Sequence, residues 1–308
     1  MNPFLEPQVQ QYGSSMVMTG VQKPTKKRIM NVDTRFTDEY IYPKGNFNGV
    51  EQYIFTLPQR LTDVRAMRVR SVEIPISFSA FSAAMGNSAF AYKRMDTKVS
   101  SVCVLPDGNY TSPTDLVTAV NTQLYAAPSG GGNLELFANP AGNLYFVNNA
   151  TTYDYILNFA VDVCGNDDKY QFRSKLGWAM GFRDASYGVV RNHAASVTAE
   201  SAPNFNTVRY LYLVVDEFSS SFPNSFLAPL DQYMLNKKIL ARICILGSSP
   251  YGTVLSGNEA NGVLVSDVRT YQGKIDIQKL SVQLVNEWGV PVNLQGLDFS
   301  FALEIEHE

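Results

Sequence analysis

The chain has 308 residues, of which 45% are hydrophobic and 17% charged, and it carries a net charge of −3. Enough apolar material is present for a substantial core, which excludes a disordered chain. The slight acidity argues against a surface built to neutralise phosphates, so no specific nucleic-acid partner is expected.

The first thirty residues are rich in Gln, Ser, Pro and Met, show no periodicity, and end in the basic run Lys23 to Arg28. They read as an extended N-terminal arm, either a solvated tail or a segment that orders only against a neighbouring subunit or an anionic surface. The ordered domain is expected from Asn31 to the C-terminus, beginning with Asn31-Val32-Asp33-Thr34-Arg35-Phe36. Tyr53 to Leu57 reads as a strand. Val64 to Ile76 reads as a longer one whose apolar phase moves from Met67 and Val69 to Val72, Ile74 and Ile76, as a bulge requires. Arg65, Arg68 and Arg70 on it face either water or an acidic neighbour.

Val99 to Leu105 is a further strand, closed by the turn Pro106 to Tyr110. Here the period changes. Ser112 or Thr114 is a helix cap, Pro113 suits the first turn, and Leu116, Val117, Val120, Leu124 and Tyr125 recur at helical spacing until Pro128 and Gly130 to Gly132 stop them. Leu134 to Phe137, Leu144 to Val147 and Tyr153 to Val161 read as short strands, which with the helix make an insertion lobe over residues 106–190. Lys175 to Arg183 sets glycines beside bulky apolar residues, a sign of close backbone approach. Val208 to Val215 and Ile239 to Leu246 are apolar on both faces, as strands covered on both sides are.

The last stretch, Ile275 to Glu306, reads as a β-hairpin turning at Asn286-Glu287-Trp288-Gly289. Ile275 and Ile277 share one phase and Leu280, Val282 and Leu284 the other, so the face switches near Gln278-Lys279. From Leu297, apolar residues alternate with Asp298, Ser300, Ala302, Glu304 and Glu306, which places one face in a core and one in water. Abundant Phe and Tyr, with glycine and proline between apolar runs, favour strands throughout. The expected fold class is all-β: a single eight-stranded jelly-roll β-sandwich with an inserted small α+β lobe and an extended N-terminal arm.

Residues that could carry chemistry are few. His193 and His307 are the two histidines, too few for a cupin-type metal site, so no metal or cofactor is expected. Cys103, Cys164 and Cys244 show neither a disulfide framework nor zinc spacing, which suits reduced, cytosolic assembly. Cys103 sits in an apolar strand and reads as a buried, inert thiol rather than a nucleophile paired with His193. Asp38-Glu39, Asp167-Asp168 and Asp216-Glu217 read as solvated loop acids, because neighbouring strand residues point to opposite faces and do not make a glycosidase pair. Asn109-Tyr110-Thr111 and Asn149-Ala150-Thr151 match glycosylation acceptors without a secretory signal beside them. No run of about 18 apolar residues is present to span a bilayer. The expected protein is not an enzyme.

Several segments together resemble the single jelly-roll capsid proteins of nucleocytoplasmic large DNA viruses, in particular the penton proteins of the five-fold vertices. They are Asn31 to Phe36; Leu57-Pro58 followed by Val64 to Pro75; Leu105 to Thr111 with its helix; Leu176-Gly177-Trp178 with Gly181-Phe182-Arg183; Arg209-Tyr210-Leu211; and Tyr271-Gln272-Gly273 through the C-terminal strands. The resemblance implies a virion protein that forms a homopentamer, meets the major capsid protein around it and minor capsid proteins beneath the vertex, and reaches neighbours or an inner membrane through its basic arm. Candidate subunit contacts are Lys26, Lys27, Arg28, Arg35, Phe36, Trp178 and Arg183. Two other readings are a minor capsid or cement protein on the inner capsid face, and a receptor- or glycan-binding jelly roll using Tyr145, Tyr153, Tyr155 and Trp178.

Overall fold

The computed structural model describes residues 24–41, 52–127, 131–219, 226–230, 234–245 and 250–308, with the side chains of 39–41, 169 and 170 excepted. The elements in chain order are β1 (Lys26–Asp33), β2 (Glu39–Ile41), β3 (Gln52–Pro75), β4 (Ala89–Arg94), β5 (Ser100–Val104), α1 (Pro113–Ala126), β6 (Leu134–Ala138), β7 (Leu144–Asn148), β8 (Tyr155–Asn158), α2 (Leu176–Ala179), β9 (Ser186–Val189), β10 (Val197–Thr198), β11 (Tyr210–Asp216), β12 (Ile239–Cys244), β13 (Val254–Asn258), β14 (Leu264–Ser266), β15 (Arg269–Asn286) and β16 (Ser300–His307). The fold is all-β, a jelly-roll sandwich carrying a smaller α+β lobe. Met1 to Lys23 of the expected arm lie outside the described residues, and Lys26–Met30 are strand.

One long strand organises the sandwich. The segments 53–57 and 64–76 are a single β3, whose N-terminal half pairs with β2 and β15 and whose C-terminal half pairs with β16 and β13, all antiparallel. Nine strands share this hydrogen-bonded network, in the order β1-β16-β3-β15-β11-β12-β14 with β13 and β2 also on β3; short β2 is the addition to the eight expected. Ala302 pairs with Ser71 and Leu303 with Val69, so Arg70 is the extra residue of the expected bulge. A second irregularity falls between Ile277 and Lys279, where the face of β15 was read to switch. Such insertions bend a strand and let it serve two layers. At the far end Val69 N donates to Ser266 Oγ at 3.0 Å, so β14 is drawn back to β3.

Both layers bury their inner faces in one core, which includes Val69, Ile74, Leu213, Leu240, Leu280, Phe301, Leu303 and Ile305. Each such side chain contributes about 1.5–3 kcal/mol on removal from water.

Three sequence expectations need correction. β15 and β16 do not form a hairpin, because β3 lies between them and pairs with both. A period of two says which face a residue takes, not which strand it pairs with. Leu297, placed on the inward phase, is 50% exposed, because the strand begins only at Ser300. Glu217 is not a solvated acid: its carboxylate is buried against Arg269, 2.9 Å away.

The second lobe has its own core, drawn from Phe81 to Ala199, enclosed by the sheets β5-β4-β8-β9 and β10-β7-β6 and by α1. Helix α1 starts where Ser112 Oγ accepts the Asp115 N–H at 3.1 Å, with Pro113 in its first turn. Leu116, Val120 and Leu124 make its buried stripe, while Tyr125 turns out and donates to Glu135. Pro128 and Gly130, read as its stop, lie outside the described residues. Phe159 stacks on Phe182 with centroids 4.8 Å apart, and Phe146 meets both rings. The α2 segment requires its glycines. A Cβ on Gly177 would lie 2.3 Å from the Phe159 ring, and one on Gly181, whose φ is +100°, 2.0 Å from Ser201 O.

Candidate subunit-contact surface

Strand β1 ends the main sheet, and its outer edge carries no further strand among the described residues. Its alternation is set by the register with β16. Val32, Met30 and Arg28 lie opposite the inward-facing Phe301, Leu303 and Ile305, whereas Ile29 and Lys27 lie opposite the outward Glu304 and Glu306. The core tapers toward the start of β1, so Lys26, Lys27, Arg28 and Ile29 are all exposed, Ile29 to 70%.

What holds this edge in place is a charge cluster on the outer face of the sheet. Glu304 is only 5% exposed although it points away from the core. Its Oε1 lies 3.3 Å from Lys27 Nζ and 3.2 Å from Arg68 Nε, and its Oε2 accepts from Arg70 Nε at 2.7 Å. Lys27 also reaches Glu306 at 2.9 Å, and both arginines lie near Glu259. The acidic neighbour of Arg68 and Arg70 is thus their own chain. Burial alone would push the Glu304 carboxyl up, but the three cations outweigh it and hold it below the usual carboxylate range.

Beyond β1 the chain turns through Thr34–Phe36, a single 3-10 turn capped by Asp33, whose Oδ1 accepts the Arg35 N–H at 3.0 Å. The Arg35 guanidinium pairs with the same carboxylate and holds its pKa down. Buried Thr34 locks the turn to the C-terminal strand, donating to Asp298 Oδ1 at 2.8 Å and accepting from Phe299 N at 3.0 Å. Phe36 is thereby held out at 76% exposure, its ring 5.6 Å from the Arg35 guanidinium. An isoleucine exposed between Arg28 and Met30 on an open sheet edge, and a phenyl ring displayed beside Arg35 in the turn that follows, are apolar groups of the kind that pair with another chain.

Trp178 and Arg183 do not join this surface. They lie in the second lobe, where Arg183 Nη1 donates to Trp178 O at 3.0 Å and its guanidinium sits 4.2 Å over the indole. Trp178 also lines a cavity of about 350 Å³ between lobe and roll, together with Trp288 and Arg209. So the structure places Lys26, Lys27 and Arg28 at the exposed start of β1, Arg35 and Phe36 in the turn beyond its end, and Trp178 with Arg183 at a separate location in the lobe. Sequence reasoning missed Ile29 and Glu304 at the β1 edge and Trp288 in the cavity wall. Ile29 carried a signal, being an apolar residue directly after a basic run.

Cys103 is buried in β5, and burial pushes its thiol up to about 12. Among the described residues no group of three or more His, Cys, Asp or Glu is arranged to hold a metal ion, and no helix is long and apolar enough to cross a membrane.

The fold and this surface define a jelly roll whose β1 edge is open among the described residues, basic and partly apolar. No family model matches the chain, and no curated protein matches it. Among solved structures, the chain is similar to the mavirus penton protein, known from a crystal structure of its selenomethionine-labelled form. The two are 12% identical, with 92% of this chain and 100% of that one covered, at a TM-score of 0.41.

Proposed function

We propose that the chain is a non-enzymatic structural subunit of an icosahedral virus capsid, which closes the five-fold vertices as a homopentamer. The open edge of β1 carries this reading. It offers backbone groups with no strand partner among the described residues beside Ile29, with Phe36 in the turn that follows, and its position is fixed by Glu304 and Thr34 rather than left to chance. A ring of five needs heterologous contacts, in which one patch meets a different patch on the next copy and the rotation closes. An edge strand supplies one such patch. The segments that resemble the vertex proteins of large DNA viruses supply the reason to read the partner as a copy of the chain, with major capsid subunits around the ring and minor capsid proteins below it.

Native mass spectrometry and electron microscopy of the purified chain test this directly. Rings of five are expected, and Ile29→Asp with Arg28→Glu disperses them to monomers without lowering the melting temperature, since both side chains are exposed. A chain that stays monomeric at every concentration, or closes with another symmetry, overturns the vertex reading. Density confined to the inner capsid face of intact particles would assign it instead to the minor capsid or cement class.

A further inference from the structure

The cavity between lobe and roll has features that the edge strand does not explain. Its walls come from both units, with Arg173, Trp178 and Asn204 on the lobe side and Arg209, Asn286 and Trp288 on the roll side. Both tryptophans of the chain line it. At about 350 Å³ it falls near the lower end of the range of small-molecule sites, which run from roughly 300 to 1,000 Å³.

The polar groups are donor-rich. Asn286 is 3% exposed, and its side-chain oxygen accepts the backbone N–H groups of Trp288 and Val290 at 3.0 Å each. That fixes the amide orientation and leaves Nδ2 with no protein acceptor among the described residues. Asn204, at the exposed rim, also has its oxygen occupied, accepting from Asn206 N at 3.1 Å. Neither indole N–H has a protein acceptor among the described residues.

Charge points the same way. Arg173 is exposed, lies 5.7 Å from the Trp178 ring and has no carboxylate partner among the described residues. Arg209 is paired with Glu287, its Nε and Nη2 each 3.5 Å from Oε1 and its backbone N–H donating to Oε2 at 3.2 Å. Lys175 is satisfied by Asp168 at 2.9 Å, which leaves Arg173 as the available cation among the wall residues. A donor-rich cleft with one spare cation, on a chain of net charge −3, selects for an anion.

A bare anion would leave the aromatic wall unused. Trp178 already has Arg183 against its ring, whereas Trp288 has no ring or cation contact among the described residues. An indole in the cavity wall beside amide donors and the Glu287 carboxylate suits a ring that is apolar on its C–H face and carries hydroxyls at its edge. Hydroxyls both donate and accept, so Glu287 and Asn286 answer both roles.

We propose that this cleft binds a pyranose carrying a carboxylate, a sugar acid one ring in size, with the carboxylate toward Arg173 and the sugar face on Trp288. The site is independent of the edge strand and of the assembly that strand supports.

The test uses the full chain and two probes, D-glucuronate and N-acetylneuraminate, with D-glucose and inorganic phosphate as controls. Calorimetry reads binding, and tryptophan emission reads its place, because both tryptophans are in the cavity wall. At least one acid should give a saturable heat and a saturable emission change, with glucose and phosphate far weaker. Arg173→Ala, whose side chain is exposed and has no carboxylate partner among the described residues, should melt close to the parent and bind that acid about tenfold more weakly, as the loss of one charge-assisted contact predicts. Any of four outcomes overturns the proposal: no saturable heat with either acid, heat without an emission change, equal binding of phosphate or glucose, or unchanged affinity in Arg173→Ala.

Discussion

Arg269 Nη1 donates to Glu217 Oε2 across 2.9 Å, and their side chains are 1% and 0% exposed. The same guanidinium donates to the backbone carbonyls of Val215, Lys238 and Ile239, so the start of β15 is tied to the end of β11 and the start of β12. Lys238 approaches from the other side, 2.8 Å from Asp216 and 3.8 Å from Glu217. Removing one partner of a buried pair strands the other charge, whereas removing both does not. Glu217→Ala should therefore cost about 3–5 kcal/mol in urea unfolding, and the double variant Glu217→Leu with Arg269→Met distinctly less. A double variant at least as unstable as the single one would show that the carbonyl contacts, not the ion pair, hold the three strands.

The Glu304 cluster makes stability depend on acid. Its folded-state carboxyl lies below the ordinary 4.5, so its contribution is present at neutral pH and is lost as the pH falls through 4.5 toward the folded value. Glu304→Gln should lose about 1.5–3 kcal/mol at neutral pH, the range of a charged hydrogen bond. Melting curves of parent and variant should converge on acidification. A gap that stays constant from neutral to acid conditions would mean that the carboxylate does not clamp β1.

Phe301 and Leu297 lie on the same sequence phase but in different surroundings, 1% and 50% exposed. Phe301→Ala should cost about 3–5 kcal/mol as a large-to-small core change. Leu297→Ala should stay within about 0.5 kcal/mol of the parent. Chemical denaturation midpoints separate the two, and equal losses would place Leu297 in the core after all.

Burial also governs the thiols. Cys164 is exposed, whereas Cys103 is buried with its pKa near 12. Alkylation at neutral pH followed by mass spectrometry should label Cys164 in the folded protein and Cys103 only after unfolding. Equal labelling rates in the native state would show that β5 opens readily.

Much of the strand content was legible because burial imposes a period. Leu303 and Ile305 alternate with Glu304 and Glu306, the phase change at Arg70 marks its bulge, and Ser112-Pro113 announces α1. Partner choice was not legible. The phases of β15 and β16 are consistent with pairing to each other or to β3, and only the closed sheet decides. Nor were the buried charges, since Glu217 meets Arg269 and Glu304 meets Arg68 across long stretches of chain, where local pattern carries no information. The candidate surface was read in part: the basic run and Arg35-Phe36 were singled out, but Trp288 looked like one residue of a turn, and its place opposite Trp178 exists only once lobe and roll have met.

The two units differ in when they can be completed. The lobe pairs neighbours, β4 with β5 and β6 with β7, whereas Met67 of β3 must wait for Ile305. Contacts between distant parts of a chain form slowly and leave strand edges bare meanwhile. During synthesis the lobe can therefore close before β16 has been made. The β1 edge acquires its supporting neighbour only once β16 has emerged, so a nascent copy has no finished edge to offer another before then.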